Sequence, residues 1–251
     1  PETLREVCTR IREEGGKGLL VSGGATSDGG VPLGDFVPAM GWAKEELGLD
    51  VVVHTGIVEP GLAEALAGIN VDAVMLDIIG SDETIKRVYH MDRTVEAYDE
   101  SLAVLGEHGI PAVPHVVVGL HYGRLEGERR ALEILAGHDL AAVVIVAFMP
   151  LEGTPMGGVT PSSPEEIARV VLASRLTMPG TPIILGCARP RGEHKARTDV
   201  LAIKAGVNGI AYPSEEGYAY AGETGLGIRF SDECCSLIFR DIMESIGGQQ
   251  A

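Results

Sequence analysis

Aromatic side chains are scarce in this sequence, at 4% of 251 residues, with a single tryptophan. Basic residues are also few: Lys and Arg number 20 against 36 Asp and Glu, a formal net charge of -16. Such an acidic chain is repelled by phosphate backbones and anionic headgroups. This excludes broad nucleic-acid binding and electrostatic attachment to membranes. Long hydrophobic runs are missing as well. The longest, 140–149, falls well short of the roughly 20 residues a spanning helix needs. The opening segment is polar and helix-like, unlike a secretory leader. The four cysteines are Cys8, Cys187, Cys234 and Cys235. Two are adjacent and none forms a CxxC pair, a poor disulfide framework that suits a reducing cytoplasm.

What is present is 45% hydrophobic residues, 34 glycines and a regular alternation of patterns. Strands are predicted at 17–22, 50–55, 73–77, 111–119, 141–149, 181–187 and 209–213. Helices are predicted at 2–14, 33–47, 61–67, 95–108, 127–136, 165–177 and 198–205, the sixth capped by Ser163 with Pro164 at its first position. After Ser214 the chain is Gly- and Glu-rich, then helical over 232–246. The strands are continuous apolar runs, the mark of parallel strands covered on both faces. Strict alternation over this length predicts an α/β fold, a (β/α) TIM-type barrel with seven units visible. The chain opens on a helix, so the first strand is expected upstream of Pro1. The expected division is a barrel over 1–230 and a helical tail over 231–251.

Chemistry in such barrels lies at the C-terminal strand ends. Those positions carry Ser22, His54, Asp77, His115, Met149, Cys187 and Tyr212. His54, His115 and Cys187 would converge on one mouth, and all three types bind metals or move protons. Each alone also fits a satisfied, partly buried polar residue. Asp77 closes an apolar strand, where a carboxylate can accept from a ribose or anchor a loop. Ser22, Gly23 and Gly24 leave backbone groups open to a ligand. In MPLEGTP, 149–155, two prolines stiffen a loop that turns at Gly153, suited to a planar ligand or to ordinary turn chemistry. Cys234 and Cys235 offer thiolates for a cluster or for sulfur transfer, or simply pack against the barrel.

Several segments occur in an order that resembles the biotin-synthase-like radical S-adenosylmethionine enzymes. They are SGGATSDG, HTGIV, the Leu76-Asp77 strand end, VVVGLHYGRLEGE, MPLEGTP, ASRLTMP and ILGCARPRG. The resemblance runs from Gly18 to Cys235. It is nearest to archaeal-type biotin synthase homologues, including the smaller component of two-protein lipoyl synthase. It implies a [4Fe-4S] cluster that reductively cleaves S-adenosylmethionine to a 5′-deoxyadenosyl radical for C–H activation, with sulfur insertion as the expected outcome. It also implies site residues. Ser22, Gly23 and Gly24 would contact the methionine amino group, and Asp77 the ribose. Val118, Gly119 and Leu120 would lie near the adenine, with Pro150, Gly153 and Thr154. Arg175 and Arg189 match family arginines towards the substrate. The implied partners are a second radical protein, an octanoylated carrier protein and an electron donor such as ferredoxin.

Two departures stand out. The family's CxxxCxxC motif is absent, and Cys8 cannot replace it. The cluster ligands are therefore expected upstream of Pro1, in the same segment as the first strand. The strands that bear biotin synthase's auxiliary cluster ligands carry His54, His115 and Ile184 instead, so biotin synthase proper is not expected. An auxiliary cluster on Cys234 and Cys235 stays open. Two alternatives remain: a non-catalytic barrel subunit without a cluster, and a phosphate-binding barrel synthase using AGVNG, 205–209. A class I aldolase is disfavoured, because no lysine stands at a strand end.

Overall fold

A computed structural model describes residues 1–247. Its elements are α1 (Glu2–Glu13), β1 (Gly18–Val21), α2 (Val37–Leu47, entered through a 3-10 turn at Gly34–Phe36), β2 (Asp50–His54) and α3 (Pro60–Gly68). Next come β3 (Ala73–Met75), α4 (Asp82–Val88), α5 (Glu96–Glu107), β4 (His115–Val118), α6 (Glu128–Leu135) and β5 (Val143–Ala147). The chain continues with α7 (Pro164–Thr177), β6 (Ile183–Leu185), α8 (Glu193–Lys204), β7 (Gly209–Ile210), α9 (Glu215–Glu223) and α10 (Phe239–Gly247).

All strand pairs are parallel and follow chain order, in a β1-β2-β3 sheet and a β4-β5-β6-β7 sheet. Parallel bridges from Val74 to Ala112 and from Asp77 to His115 carry the ladder across from β3 to β4. The seven strands thus form one curved parallel wall, as the alternation predicts. β1 and β7 are not paired to each other, so the barrel is not closed.

Side-chain alternation along each strand sorts the apolar residues onto two faces. Val51, Val53, Val74, Leu76, Val116, Val143, Ile145, Ile183 and Leu185 share one core with helix residues such as Met40, Leu66, Leu105, Leu135 and Ile167. Val52, Ala73, Met75, Val113, Val144, Val146 and Ile184 form a separate inner core. Both faces are therefore buried, which is why these strands read as unbroken apolar runs.

The inner core is completed by the tail. Leu237 enters it at 3% exposure, with Cys235, Ile238, Phe239 and Ile242 packed alongside. Burying a leucine stabilises by about 1.5–3 kcal/mol. Ion pairs fix the tail at the N-terminal strand ends: Lys17 to Asp232, and Arg240 to both Asp50 and Asp72. Burial raises the Asp72 carboxyl, but Lys44, the Val51 N–H and Arg240 outweigh it and hold the group below its ordinary range.

The Ser163 cap at α7 forms as predicted, and Glu166 completes a capping box by bonding the Ser163 backbone N–H in return. Four helix expectations are corrected. α8 starts at Glu193 rather than 198, because Gly192 turns the chain at φ +65. α4, not expected, is capped by the Ser81 hydroxyl accepting from Thr84 N–H. α9 lies in the Gly- and Glu-rich stretch, where the Ser214 side chain caps Gly217 N–H. The tail helix starts at Phe239, since the chain around 235–238 is a turn that delivers Leu237 inward. Residues 248–251 of the expected tail lie outside the described residues.

Candidate functional site at the barrel mouth

His54 is the last residue of β2, and Asp77 follows β3 by two residues. His115 opens β4, yet it is the register partner of Asp77 because neighbouring strands are staggered. It lies three residues before the end of its strand, not at the tip as the sequence suggests. By alternation His54 shares the face of Val52, Asp77 that of Ala73 and Met75, and His115 that of Val113. All three side chains therefore point into the barrel, above its apolar floor.

There they meet. His54 Nε2 is 3.6 Å from Asp77 Oδ1, and the two imidazole rings are 6.1 Å apart. One ligand atom from each of the three residues lies within 4.8 Å of the others. His115 is 8% exposed and its Nδ1 has no hydrogen-bond partner among the described residues. Burial lowers its pKa to about 4, against the pull of Asp77, so the ring is neutral at neutral pH. Burial raises the Asp77 carboxyl, but His54 as hydrogen-bond partner outweighs this, with the charges of both histidines, and holds it below its ordinary range. The Tyr89 hydroxyl stands beside Asp77, and burial together with that carboxylate pushes its pKa up.

Cys187 does not join this group. It is exposed beyond β6, on the side of Cys235, whose thiol its charge disfavours ionising. The Cys234 and Cys235 sulfurs are 4.0 Å apart. Cys235 acts as hydrogen-bond partner to Cys234 and lowers its pKa to about 5, while that bond and burial push Cys235 up.

The glycine-rich loop after β1 is exposed at Ser22, Gly23 and Gly24. It is fastened to the loop after β2, since Val31 N–H donates to Thr55 O and Ile57 N–H to Gly29 O. Gly56 permits this approach: a Cβ there would meet Gly29 O at 2.2 Å. Val118 and Gly119 are buried and Leu120 partly so. Gly119, at φ +77, donates its N–H to Glu128 Oε1. Pro150 is half-buried, Gly153 turns at φ +80, and Thr154 Oγ1 donates to Leu151 O in an exposed turn.

The two arginines lie elsewhere. Arg175 donates to the carbonyls of Pro179, Thr181 and Gly206, all at the N-terminal strand ends, opposite the mouth. Arg189 is fully buried. It bonds Asp199 and the carbonyls of Gly186, Ala211 and Tyr212, which leaves it a bracing position. The sequence reading missed Glu128, buried with Oε2 unpartnered among the described residues and its pKa raised by burial. It also missed Asp199; an acid in an otherwise helical stretch carries no signal of burial.

S-adenosylmethionine would need exposed carbonyls for its ammonium and an acceptor for its ribose hydroxyls. The open backbone at Ser22 to Gly24 and the partly exposed Asp77 are of the right chemistry. A [4Fe-4S] cluster needs three cysteines together, and these residues do not supply them. Cys8 is buried against Ala43 and Leu49, and the one three-residue ligand group among the described residues is His54, Asp77 and His115. No described helix is long and apolar enough to cross a membrane.

Comparison with known proteins agrees with this architecture. The profile described as "Biotin and Thiamin Synthesis associated domain" (BATS) matches residues 145–231, from β5 through α9. A biotin synthase of Beijerinckia indica is 32% identical over 183 residues, covering 70% of this chain and 54% of its own. One from Rhizobium rhizogenes is 29% identical over 181 residues, covering 71% and 54%. The chain spans about half the length of such curated relatives. Among solved structures, methylornithine synthase (PylB) superposes at TM-score 0.61 and 19% identity, covering 97% of this chain and 72% of its own. The HMG-CoA lyase of Brucella melitensis does so at 0.61 and 13%, covering 97% and 92%. At such identities the likeness is one of fold, which unrelated chemistries share. It is the sequence relation that carries kinship: this chain is a biotin synthase-like relative of the radical S-adenosylmethionine enzymes.

Proposed function

We propose that this chain is the S-adenosylmethionine-binding barrel of a radical enzyme that activates a C–H bond for sulfur insertion. The observation that carries the reading is the biotin synthase relation across most of the chain. Geometry supports it: an exposed glycine-rich loop is fastened beside a mouth that holds a carboxylate. Exposed carbonyls from Ser22 to Gly24 accept from the methionine ammonium. Asp77 accepts from the ribose hydroxyls. Val118 to Leu120 and the turn at Pro150 to Thr154 flank the adenine. When bound and reduced by one electron, S-adenosylmethionine supplies the radical that abstracts hydrogen. The apolar inner core beneath the mouth shields that chemistry from water.

The finer version is lipoyl synthesis: an octanoyl chain on a carrier protein as substrate, a second radical protein as partner and a ferredoxin-type electron donor. An auxiliary cluster on Cys234 and Cys235 would need ligands besides these two thiols. A second reading, a barrel subunit without a cluster, is favoured by the lack of three grouped cysteines among the described residues. The phosphate-barrel alternative loses ground. AGVNG leads into β7 at the N-terminal strand ends, and its Asn208 side chain is already bonded to Arg175 and to Ile183 N–H.

The test is anaerobic incubation of the full reading frame with S-adenosylmethionine and a low-potential reductant. Formation of 5′-deoxyadenosine, with iron and sulfide bound, is the expected result. Tight S-adenosylmethionine binding with neither iron nor cleavage would replace this reading with the subunit one.

A further inference from the structure

We infer that His54, Asp77 and His115 form a binding site for one divalent transition-metal ion inside the barrel mouth. Three strands deliver two imidazoles and one carboxylate, with a ligand atom from each inside a 4.8 Å envelope. Ligands about 2.0–2.2 Å from a zinc-type ion stand roughly 3–3.5 Å from one another. The 3.6 Å between His54 Nε2 and Asp77 Oδ1 is already near that separation. The remaining ligand-atom separations lie within 4.8 Å.

A simple ion pair accounts for only part of this. It would explain His54 beside Asp77, but not His115. That ring is more than nine-tenths buried, and its Nδ1 has no hydrogen-bond partner among the described residues. A buried ring nitrogen left without a partner is unfavourable. Coordination through an imidazole nitrogen orients the whole ring.

The donor set narrows the ion. Magnesium and calcium prefer all-oxygen shells, and copper(I) and iron–sulfur clusters prefer thiolates. Two nitrogens and one carboxylate oxygen suit zinc, cobalt(II) or iron(II). Three protein ligands leave coordination positions open towards the mouth. Bound through one oxygen, Asp77 keeps the other for the ribose hydroxyl of the reading above, so the two assignments are compatible.

Cobalt(II) is the probe. The full chain, stripped with a chelator and kept reduced, is titrated with cobalt(II) alone, without S-adenosylmethionine or reductive turnover. The expected result is one cobalt per chain, with visible d–d bands and no thiolate-to-cobalt band in the near ultraviolet. H54A and the volume-conserving H115Q should each weaken binding by at least about tenfold, since even supporting partners cost roughly 10–100-fold. C187S and the C234S/C235S pair should bind normally. Circular dichroism of each variant separates a lost ligand from a lost fold, and H54A, at the partly exposed ligand, keeps the test open if H115Q unfolds. Absence of binding overturns the site. So does a thiolate band that disappears in the cysteine variants while the histidine variants bind like the parent. Either outcome leaves the S-adenosylmethionine reading standing, because neither cleavage nor nucleoside binding is measured.

Discussion

Arg189 and Asp199 form an ion pair in which neither side chain reaches solvent, with Nε 2.8 Å from Oδ1. Asp199 also accepts the Ser214 N–H, and Arg189 gathers three carbonyls from the ends of β6 and β7. The pair therefore joins β6, β7, α8 and the start of α9. Removing one member strands a buried charge, which costs about 3–5 kcal/mol. R189A and D199A should both lower the urea midpoint by that equivalent. R189K should not restore it, because an ammonium cannot reproduce the planar fork. An R189A protein of parental stability would contradict this bracing role and return Arg189 to the substrate.

Glu128 should show the opposite contrast between two substitutions. Its Oε1 holds the Gly119 N–H, while Oε2 is buried without a partner among the described residues. Burial raises its pKa, so the folded protein keeps this proton more readily than the unfolded chain, and stability falls as pH rises past the ordinary carboxyl value. E128Q retains the acceptor, removes the charge and should be neutral or stabilising at pH 8. E128A leaves Gly119 N–H unsatisfied and should cost about 1–3 kcal/mol. Thermal melts at pH 5 and pH 8 check both signs.

His115 gives a pH dependence of opposite direction. Its folded pKa of about 4 lies below the ordinary 6.5. Between those values the unfolded chain binds a proton that the folded one does not. In the metal-free protein, stability should therefore fall on acidification from about pH 6.5, by about 3 kcal/mol at pH 4. H115Q should flatten that component. Urea midpoints for parent and H115Q at pH 7, 5.5 and 4.5 provide the test, and parallel curves would contradict it.

Leu237 anchors the tail in the inner core. L237A should destabilise by about 2–5 kcal/mol and loosen residues 231–247. Hydrogen exchange should report faster exchange in that segment, while α5 and α6 stay protected. Unchanged exchange would mean that the tail is held by its ion pairs alone.

Much of the fold was legible because both faces of each strand are apolar, so 141–149 reads as a covered parallel strand. The convergence of His54 and His115 followed from reading both at the mouth of the barrel, on β2 and β4 either side of β3. The pairing of Asp77 with His115 did not, since the stagger between strands sets it and no periodicity reports stagger. Gly217 and Gly222 lower helix propensity enough to hide α9. The structure uses Gly217 because a Cβ there would press on Asp199 Cβ at 2.8 Å. Residues 232–246 show an amphipathic pattern, but the turn around 235–238 spends Leu237 on the inner core instead of on a helix face. Arg175 and Arg189 follow the motifs the resemblance offered, yet their positions are decided by which backbone carbonyls lie within reach.

The most direct measurement is equilibrium dialysis of radiolabelled S-adenosylmethionine against the chelator-treated full chain and its D77A variant. The account predicts one nucleoside bound per chain, and at least about tenfold weaker binding once the ribose acceptor is gone, the equivalent of roughly 1.4 kcal/mol. Binding that D77A leaves unchanged, or no binding to the folded parent, would contradict the assignment of this barrel mouth.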